Sequence, residues 1–195
     1  MIHGIVPPLV TPLSDRDKLD DAGLERLLEY QLSAGVDGVF ILGTTGEGPS
    51  LSDRVQRAMI RQTCRAINQR VPVYVGITDT SIVRAIELAE CATTAGAKAV
   101  VAAPPFYFPA GQTELRHWFL ELAESLPLPL VLYNMPGCVK TSIEIETLRT
   151  LIEHENIVGM KDSSGDLRYF RQVIEIAKTR ADWPVLIGPE ALLVD

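Results

Sequence analysis

One phrase occurs twice in this chain: a helix-like stretch closes on Ala-Gly, and an apolar, strand-like run begins two or three residues later. It reads "SAGVDGVFILGTTGE" the first time and "TAGAKAVVAAPPFY" the second. The alternation continues along the sequence. Seven apolar, β-branched runs are separated by longer amphipathic stretches: "GIVPPLV", "GVFILG", "VPVYVGI", "AVVAAPP", "LPLVLYN", "NIVGMK" and "WPVLIG". Their near-continuous hydrophobicity fits strands covered on both faces, as in a parallel sheet. A recurrence of roughly 25 to 35 residues is the length of a strand plus its crossover helix. Repetition of such a unit predicts an α/β fold, and a TIM (β/α)8-type barrel over an open doubly wound sheet.

The intervening stretches carry helix signals. "LDDAGLERLLEYQLSAG" puts Leu24, Leu27, Leu28 and Leu32 along one face and stops at Gly35, a C-terminal cap. "SDRVQRAMIRQTCRAI" opens with Ser52 as N-cap, with Val55, Met59 and Ala66 among its apolar positions. "TSIVRAIELAECATTAGA" repeats the plan and stops at Gly96. "TELRHWFLELAESL", "SIEIETLRTLIEHE" and "DLRYFRQVIEIAKTRA" follow. The chain reads as one barrel domain over residues 1–195. A usual barrel has about eight strands, whereas the seventh run is followed by "GPEALLVD". The expectation is a barrel truncated after its seventh strand.

At 195 residues and 47% apolar, the chain has enough material for one substantial core. A net charge of -7, with no cluster of Lys or Arg to offset it, argues against nucleic acid as a partner. No apolar run approaches the roughly 20 residues that span a bilayer, so no membrane association is expected. "MIHGIVPPLVTPLSD" lacks the charged n-region and cleavage site of a secretion signal. Cys64, Cys91 and Cys138 are odd in number and far apart, which fits reduced, mostly packed thiols in a cytoplasmic setting. His3, His117 and His154 are scattered, two of them in expected helices. No ligand spacing supports a metal site.

In barrels of this type the active site lies at the C-terminal ends of the strands. That rim holds "GTTGE" after the second run, "PPFYFP" after the fourth, "YNMPG" after the fifth, "KDSSGD" after the sixth and "GPE" after the seventh. Lys161 follows Ile157, Val158, Gly159 and Met160 with no exposed spacer. Two readings stay open at this point. The lysine snorkels to solvent or pairs with Asp162 or Asp166; or it is a nucleophile, its amine kept partly neutral by desolvation and able to attack a ketone. Tyr133 reads either as an amphipathic core residue or as a phenol that shuttles protons beside such a lysine. Asn134 and Pro136 read as turn-fixing residues. In "GTTGE", Gly43 and its neighbouring glycines expose backbone N–H groups, and Thr44 and Thr45 offer hydroxyls, a combination suited to a carboxylate. Glu47 reads as a loop-fixing residue. Tyr107 reads either as packing or as a residue that reaches an interface.

"GTTGE", "YNMP" and "GMKDSSGD", in this order and on the second, fifth and sixth runs, resemble the dihydrodipicolinate synthase / N-acetylneuraminate lyase superfamily. The resemblance implies a class I, pyruvate-handling aldolase or lyase on a TIM barrel, assembled as a homo-oligomer (dimer or tetramer). It implies that Lys161 forms the Schiff base, that Tyr133 relays protons, and that Thr44 and Thr45 hold the pyruvyl carboxylate. Tyr107 matches a tyrosine that crosses the dimer interface in many members to complete a relay with Thr44 and Tyr133. No cofactor is implied beyond the covalent imine on Lys161.

Two departures bear on the reaction. Dihydrodipicolinate synthases carry an arginine shortly after the "YN-x-P" motif that grips the aldehyde's carboxylate. Here the stretch is "YNMPGCVKT", with Cys138 at that place and Lys140 as a poorly placed substitute. Ser163, Gly188 and Glu190 complete a substrate-binding rim of hydroxyl and carboxylate groups, which suits a polyhydroxylated partner better than a compact dicarboxylate. The expected activity is therefore reversible aldol cleavage or condensation of a 2-keto-3-deoxy sugar acid or related 2-keto acid, a carbon–carbon or carbon–oxygen lyase reaction on pyruvate and an aldehyde. The alternatives are 4-hydroxy-tetrahydrodipicolinate synthase, condensing pyruvate with aspartate semialdehyde, and a non-catalytic relative that binds a keto acid. The second departure is the missing eighth strand and C-terminal helical region, through which family members continue.

Overall fold

Capping side chains open four of the helices: Asp20, Ser52, Ser81 and Asp166 each accept from a backbone N–H in the first turn. The computed structural model describes residues 2–192; the last part of "GPEALLVD", residues 193–195, lies outside the described residues. A short antiparallel hairpin, β1 (Leu13–Asp15) and β2 (Lys18–Leu19), leads into α1 (Asp21–Ser33). This hairpin is not among the seven apolar runs. Six of those runs form one parallel sheet: β3 (Val39–Ile41), β4 (Val73–Gly76), β5 (Ala99–Ala102), β6 (Leu130–Asn134), β7 (Ile157–Asp162) and β8 (Val185–Ile187). Their spatial order equals their chain order, and the sheet curls into a half-barrel. Sequential parallel neighbours joined by helices are the barrel pattern.

The first run corrects the expectation of a seventh strand. "GIVPPLV" lies beside β3 and makes one bridge, Pro8 with Phe40. Phe40 N–H donates to Pro7 O at 3.0 Å, and Leu9 N–H donates to Phe40 O at 2.8 Å. Pro7 and Pro8 have no N–H to donate, so the segment follows the sheet edge without building a ladder.

Crossover helices α2 (Asp53–Ile67), α3 (Ile82–Ala95), α4 (Gln112–Ser125) and α7 (Leu167–Ala177) follow β3, β4, β5 and β7. After β6 come a single turn, α5 (Pro136–Val139), and α6 (Ile145–Leu151). The Ser52 side chain accepts from Val55 N–H as the N-cap of α2, and α3 ends on Gly96 at φ 88°. Asn68, not a glycine, takes the left-handed cap of α2 at φ 48°. Helix α6 is shorter than "SIEIETLRTLIEHE", and His154 falls in the turn after it, outside the helix expected for it. Among the described residues, no helix is long and apolar enough to cross a membrane.

The two faces of the sheet bury different sets of side chains. Val39, Ile41, Val75, Val100, Leu130, Leu132 and Met160 pack against the helices, with Leu28, Met59, Leu115 and Phe119. Fully burying each such side chain contributes about 1.5–3 kcal/mol. The alternate positions, Phe40, Tyr74, Val101, Val131 and Tyr133, line the inner, concave face. Period two therefore decides which residues can reach the interior of the half-barrel. The thiols are all free; Cys64 is buried and Cys91 half-buried, whereas Cys138 is exposed.

Candidate active site

Lys161 lies near the C-terminal end of β7, and alternation along the strand turns it to the inner face. In the β6–β7 register it stands opposite Tyr133. Its Nζ lies 4.7 Å from the Tyr133 ring centroid and 5.0 Å from the Phe40 ring centroid. Those rings meet edge to face at 6.2 Å. Burial pushes the amine below the ordinary lysine value of 10.5, while the negative charge of Glu190 acts in the opposite sense. The two aromatic faces attract a protonated amine, whereas removal from water favours the neutral one.

The acids nearest to Lys161 in sequence are turned away from it. Asp162 Oδ1 accepts from Asn134 Nδ2 at 2.8 Å and from Ser164 N–H at 3.2 Å, and Oδ2 accepts from the Ser164 hydroxyl at 2.9 Å. Asp166 caps α7 by accepting from the N–H groups of Arg168 and Tyr169. Pairing of Lys161 with either acid is thus set aside. The lysine instead lines a cavity of about 300 Å³ together with Gly188, Glu190, Phe40 and Leu186.

Tyr133 is 5% exposed, and its Oη lies 3.3 Å from Thr44 Oγ1, with either atom able to donate. Gly43, Thr44, Tyr133 and Cys138 line a second cavity of about 280 Å³, which shares Phe40 with the first. The loop carrying Thr44 is held from several sides. Leu42 adopts a left-handed φ of 57°, and its carbonyl lies so close to Gly48 and Gly76 that a Cβ at either would overlap it. Thr11 Oγ1 donates to Gly46 O at 2.7 Å, and Gln56 Nε2 donates to Gly48 O at 2.8 Å. Glu47 fixes the loop through its backbone, its N–H donating to Thr44 O at 3.1 Å, while its side chain is exposed.

Not every expected residue reaches the cavities. Thr45 is exposed on the loop and lines neither of them. Ser163 is half-buried, bonded through its N–H to Asn134 O at 2.9 Å, with its hydroxyl packed where Gly188 lacks a side chain. Tyr107 is 83% exposed, has φ 80°, stacks edge to face on Phe108 at 4.8 Å, and lines neither cavity. Lys140 Nζ donates to Gly137 O at 2.8 Å, so its ammonium is engaged within its own turn.

Sequence reasoning missed two features. Phe40 walls Lys161, and strand alternation from Ile41 and Val39 was the signal that places it inward. Asn134 does more than fix a turn: it is 1% exposed, donates across to Asp162, and accepts from Ile143 N–H at 3.0 Å. Tyr169 Oη donates to Ile143 O at 2.5 Å, and burial followed by the Asp162 charge raises its pKa, keeping it a donor.

The model of the dihydrodipicolinate synthetase family matches residues 1–195. The chain belongs to the dihydrodipicolinate synthetase family. This is the family that the three motifs resemble. Among family relatives, the 4-hydroxy-tetrahydrodipicolinate synthase of Acidiphilium cryptum is 35% identical over 167 residues, 86% of this chain and 57% of the relative. A dihydrodipicolinate synthase structure from Bacteroides thetaiotaomicron superposes with a TM-score of 0.93 at 47% identity, covering 97% of this chain and 64% of that one. A prophage protein of the same family from E. coli K12, in complex with pyruvate, has a TM-score of 0.91 at 32% identity, over 95% and 63% of the two chains. The 2-keto 3-deoxygluconate aldolase of Picrophilus torridus has a TM-score of 0.92 at 29% identity, over 99% and 69%. The chain thus spans a little over half the length of the curated relative described.

Proposed function

We propose that this chain carries the imine-forming site of a class I, pyruvate-dependent lyase or aldolase. The observation that carries the reading is the placement of the Lys161 amine between the Phe40 and Tyr133 rings, with Tyr133 Oη 3.3 Å from Thr44 Oγ1. A neutral lysine amine attacks the keto carbon of pyruvate. A proton moves from nitrogen to the former carbonyl oxygen, and the carbinolamine then loses water to leave the imine. Tyr133 and Thr44 supply the relay for both proton movements. The C4 hydroxyl of a longer keto acid gives its proton to the Tyr133–Thr44 relay as the bond between C3 and C4 breaks, and the protonated imine accepts the electron pair released. An enamine and an aldehyde result; condensation is the reverse. Thr44, with Thr45 next to it on the same loop, holds the pyruvyl carboxylate against backbone N–H groups near Gly43. Tyr107 joins the relay from a neighbouring subunit in a homo-oligomer; within this chain its ring packs on Phe108 and lines neither cavity.

For the aldehyde we propose a neutral, hydroxylated partner, giving a 2-keto-3-deoxy sugar acid as the cleaved substrate. Support comes from the Thr44 cavity, whose lining includes Cys138 and Glu47 and no Lys or Arg, and from the likeness to a 2-keto 3-deoxygluconate aldolase. Condensation with aspartate semialdehyde is the second reading, favoured by the likeness to dihydrodipicolinate synthases and opposed by the lack of a cation at Cys138. The test is borohydride reduction with pyruvate, read by intact mass. A covalent adduct on the wild type that vanishes in Lys161→Ala is expected; no adduct at saturating pyruvate rejects the reading. Turnover with aspartate semialdehyde and not with glyceraldehyde would reverse the choice of aldehyde.

A further inference from the structure

Directly behind the Lys161–Tyr133 pair is a second cross-strand pair that faces the other way. Asn134 and Asp162 are the next register partners of β6 and β7, 1% and 2% exposed. Their polar atoms are almost fully used. The Asn134 amide donates to Asp162 Oδ1 at 2.8 Å and its carbonyl oxygen accepts from Ile143 N–H at 3.0 Å. The remaining Asp162 capacity goes to the N–H and hydroxyl of Ser164. Backbone bonds surround the pair: Ser163 N–H donates to Asn134 O at 2.9 Å and Gly188 N–H to Asp162 O at 2.7 Å. The amide–carboxylate bond is thus the side-chain tie between the strand ends, beside the last backbone bond of the ladder.

We infer that the Asn134–Asp162 bond is a positioning clamp that sets the separation of Tyr133 and Lys161, one residue back on each strand. A buried side-chain bond of this kind, with both partners satisfied, specifies a single geometry. Strand ends held at one spacing keep the Lys161 amine between the Phe40 and Tyr133 rings. Loosened ends let the amine tilt outward to water through the cavity it lines. The ordinary alternative is that a buried Asn–Asp pair serves stability alone. The two differ in what happens to the folded fraction of a variant: a merely structural bond leaves the amine's reactivity unchanged there. The catalytic consequence rests on the imine reading above, whereas the effect on the amine does not.

The test compares wild type, Asn134→Ala and the reciprocal Asn134→Asp/Asp162→Asn double variant, in which carboxylate and amide exchange sides and the cross-strand bond is restored. The first measurement is competitive acetylation of Lys161 against pH, read by peptide mass spectrometry, which needs no substrate. Asn134→Ala is expected to move the Lys161 profile toward that of an ordinary lysine, and the double variant to return it. The second measurement is the rate of pyruvate imine trapping: a fall of about tenfold or more with little change in half-saturating pyruvate is expected for Asn134→Ala. If Asn134→Ala does not fold, Asn134→Ser, too short to reach Asp162, takes its place. A folded Asn134 variant whose Lys161 profile superimposes on wild type overturns the clamp, as does a double variant that fails to restore a shifted profile. A wild type that traps no pyruvate rejects the imine reading, and the acetylation profiles then decide the clamp by themselves.

Discussion

Replacing Gly76 by alanine tests whether the Thr44 loop is held by backbone contact. An added Cβ would stand 2.7 Å from the Leu42 carbonyl carbon, closer still to its oxygen, and 3.1 Å from the Gly43 nitrogen. Carbon atoms rest at about 3.5–4.0 Å, so the Leu42–Gly43 peptide must retreat by roughly 0.8 Å or more. Overpacking of this kind costs about 1–3 kcal/mol. For a chain of this size that lowers Tm by about 2–12 °C. Thr44 follows Gly43 directly, and its hydroxyl is already 3.3 Å from Tyr133 Oη, so the shift breaks that bond. A misplacement of about 1 Å in a catalytic array costs on the order of 100-fold in rate. Thermal unfolding followed by circular dichroism and the trapping rate per folded molecule read the two effects. Gly137→Ala is the control, since a Cβ there meets nothing within 4 Å. A Gly76→Ala protein with wild-type Tm and wild-type trapping rate would refute the view that this contact positions Thr44.

Tyr133→Phe is expected to slow imine formation by about 100-fold while changing pyruvate binding little, because the phenol acts on proton transfer; equal losses in both, by stopped-flow and titration, would make the hydroxyl structural. Lys161→Met is expected to be more stable than wild type, and the gap to be pH-dependent. The folded amine sits below 10.5 because of burial, opposed by Glu190, so on lowering pH the unfolded state takes up the proton first. The penalty is therefore absent above the unfolded value and grows as pH falls through both values; urea unfolding at about pH 7 and about pH 10 should show the gap narrowing upward. Cys138→Arg adds a cation to the Thr44 cavity and is expected to shift kcat/KM toward aspartate semialdehyde over glyceraldehyde. A charged hydrogen bond worth about 1.5–3 kcal/mol makes that roughly 10- to 100-fold, and an unchanged ratio would remove Cys138 from substrate selection.

The parts of the fold legible in the sequence were those set by period and punctuation. Ala-Gly before a run located the ends of α1 and α3, and Ser52 located the start of α2. "GIVPPLV" was misread because hydrophobicity was weighed above the two missing N–H groups of its prolines. The site was legible as a set of loops at one rim, but its division into two cavities around Phe40 was not. That division depends on the curl of the sheet, which brings β3 toward β7 although the two are far apart in sequence. Asn134 was placed in a turn by its type, since asparagine after a strand usually bonds locally; here its partner is 28 positions away.

The acidic surroundings of Lys161 show how strand geometry decides chemistry that composition leaves ambiguous. "KDSSGD" puts two carboxylates within five residues of the amine, and either one in contact would favour the charged form and make the lysine a poor nucleophile at neutral pH. The fold removes both by independent means. Asp162, the next residue on β7, must face the opposite side of the sheet, where Asn134 and Ser164 satisfy it. Asp166 is engaged by the first N–H groups of α7, where a carboxylate also offsets the helix dipole. The inner face then offers the amine two aromatic rings, with the acid that acts on it, Glu190, contributed by the loop after β8. A lysine next to an aspartate in sequence is thus kept from that aspartate by the alternation of a single strand, and the groups that surround its amine follow from which face of β7 it occupies.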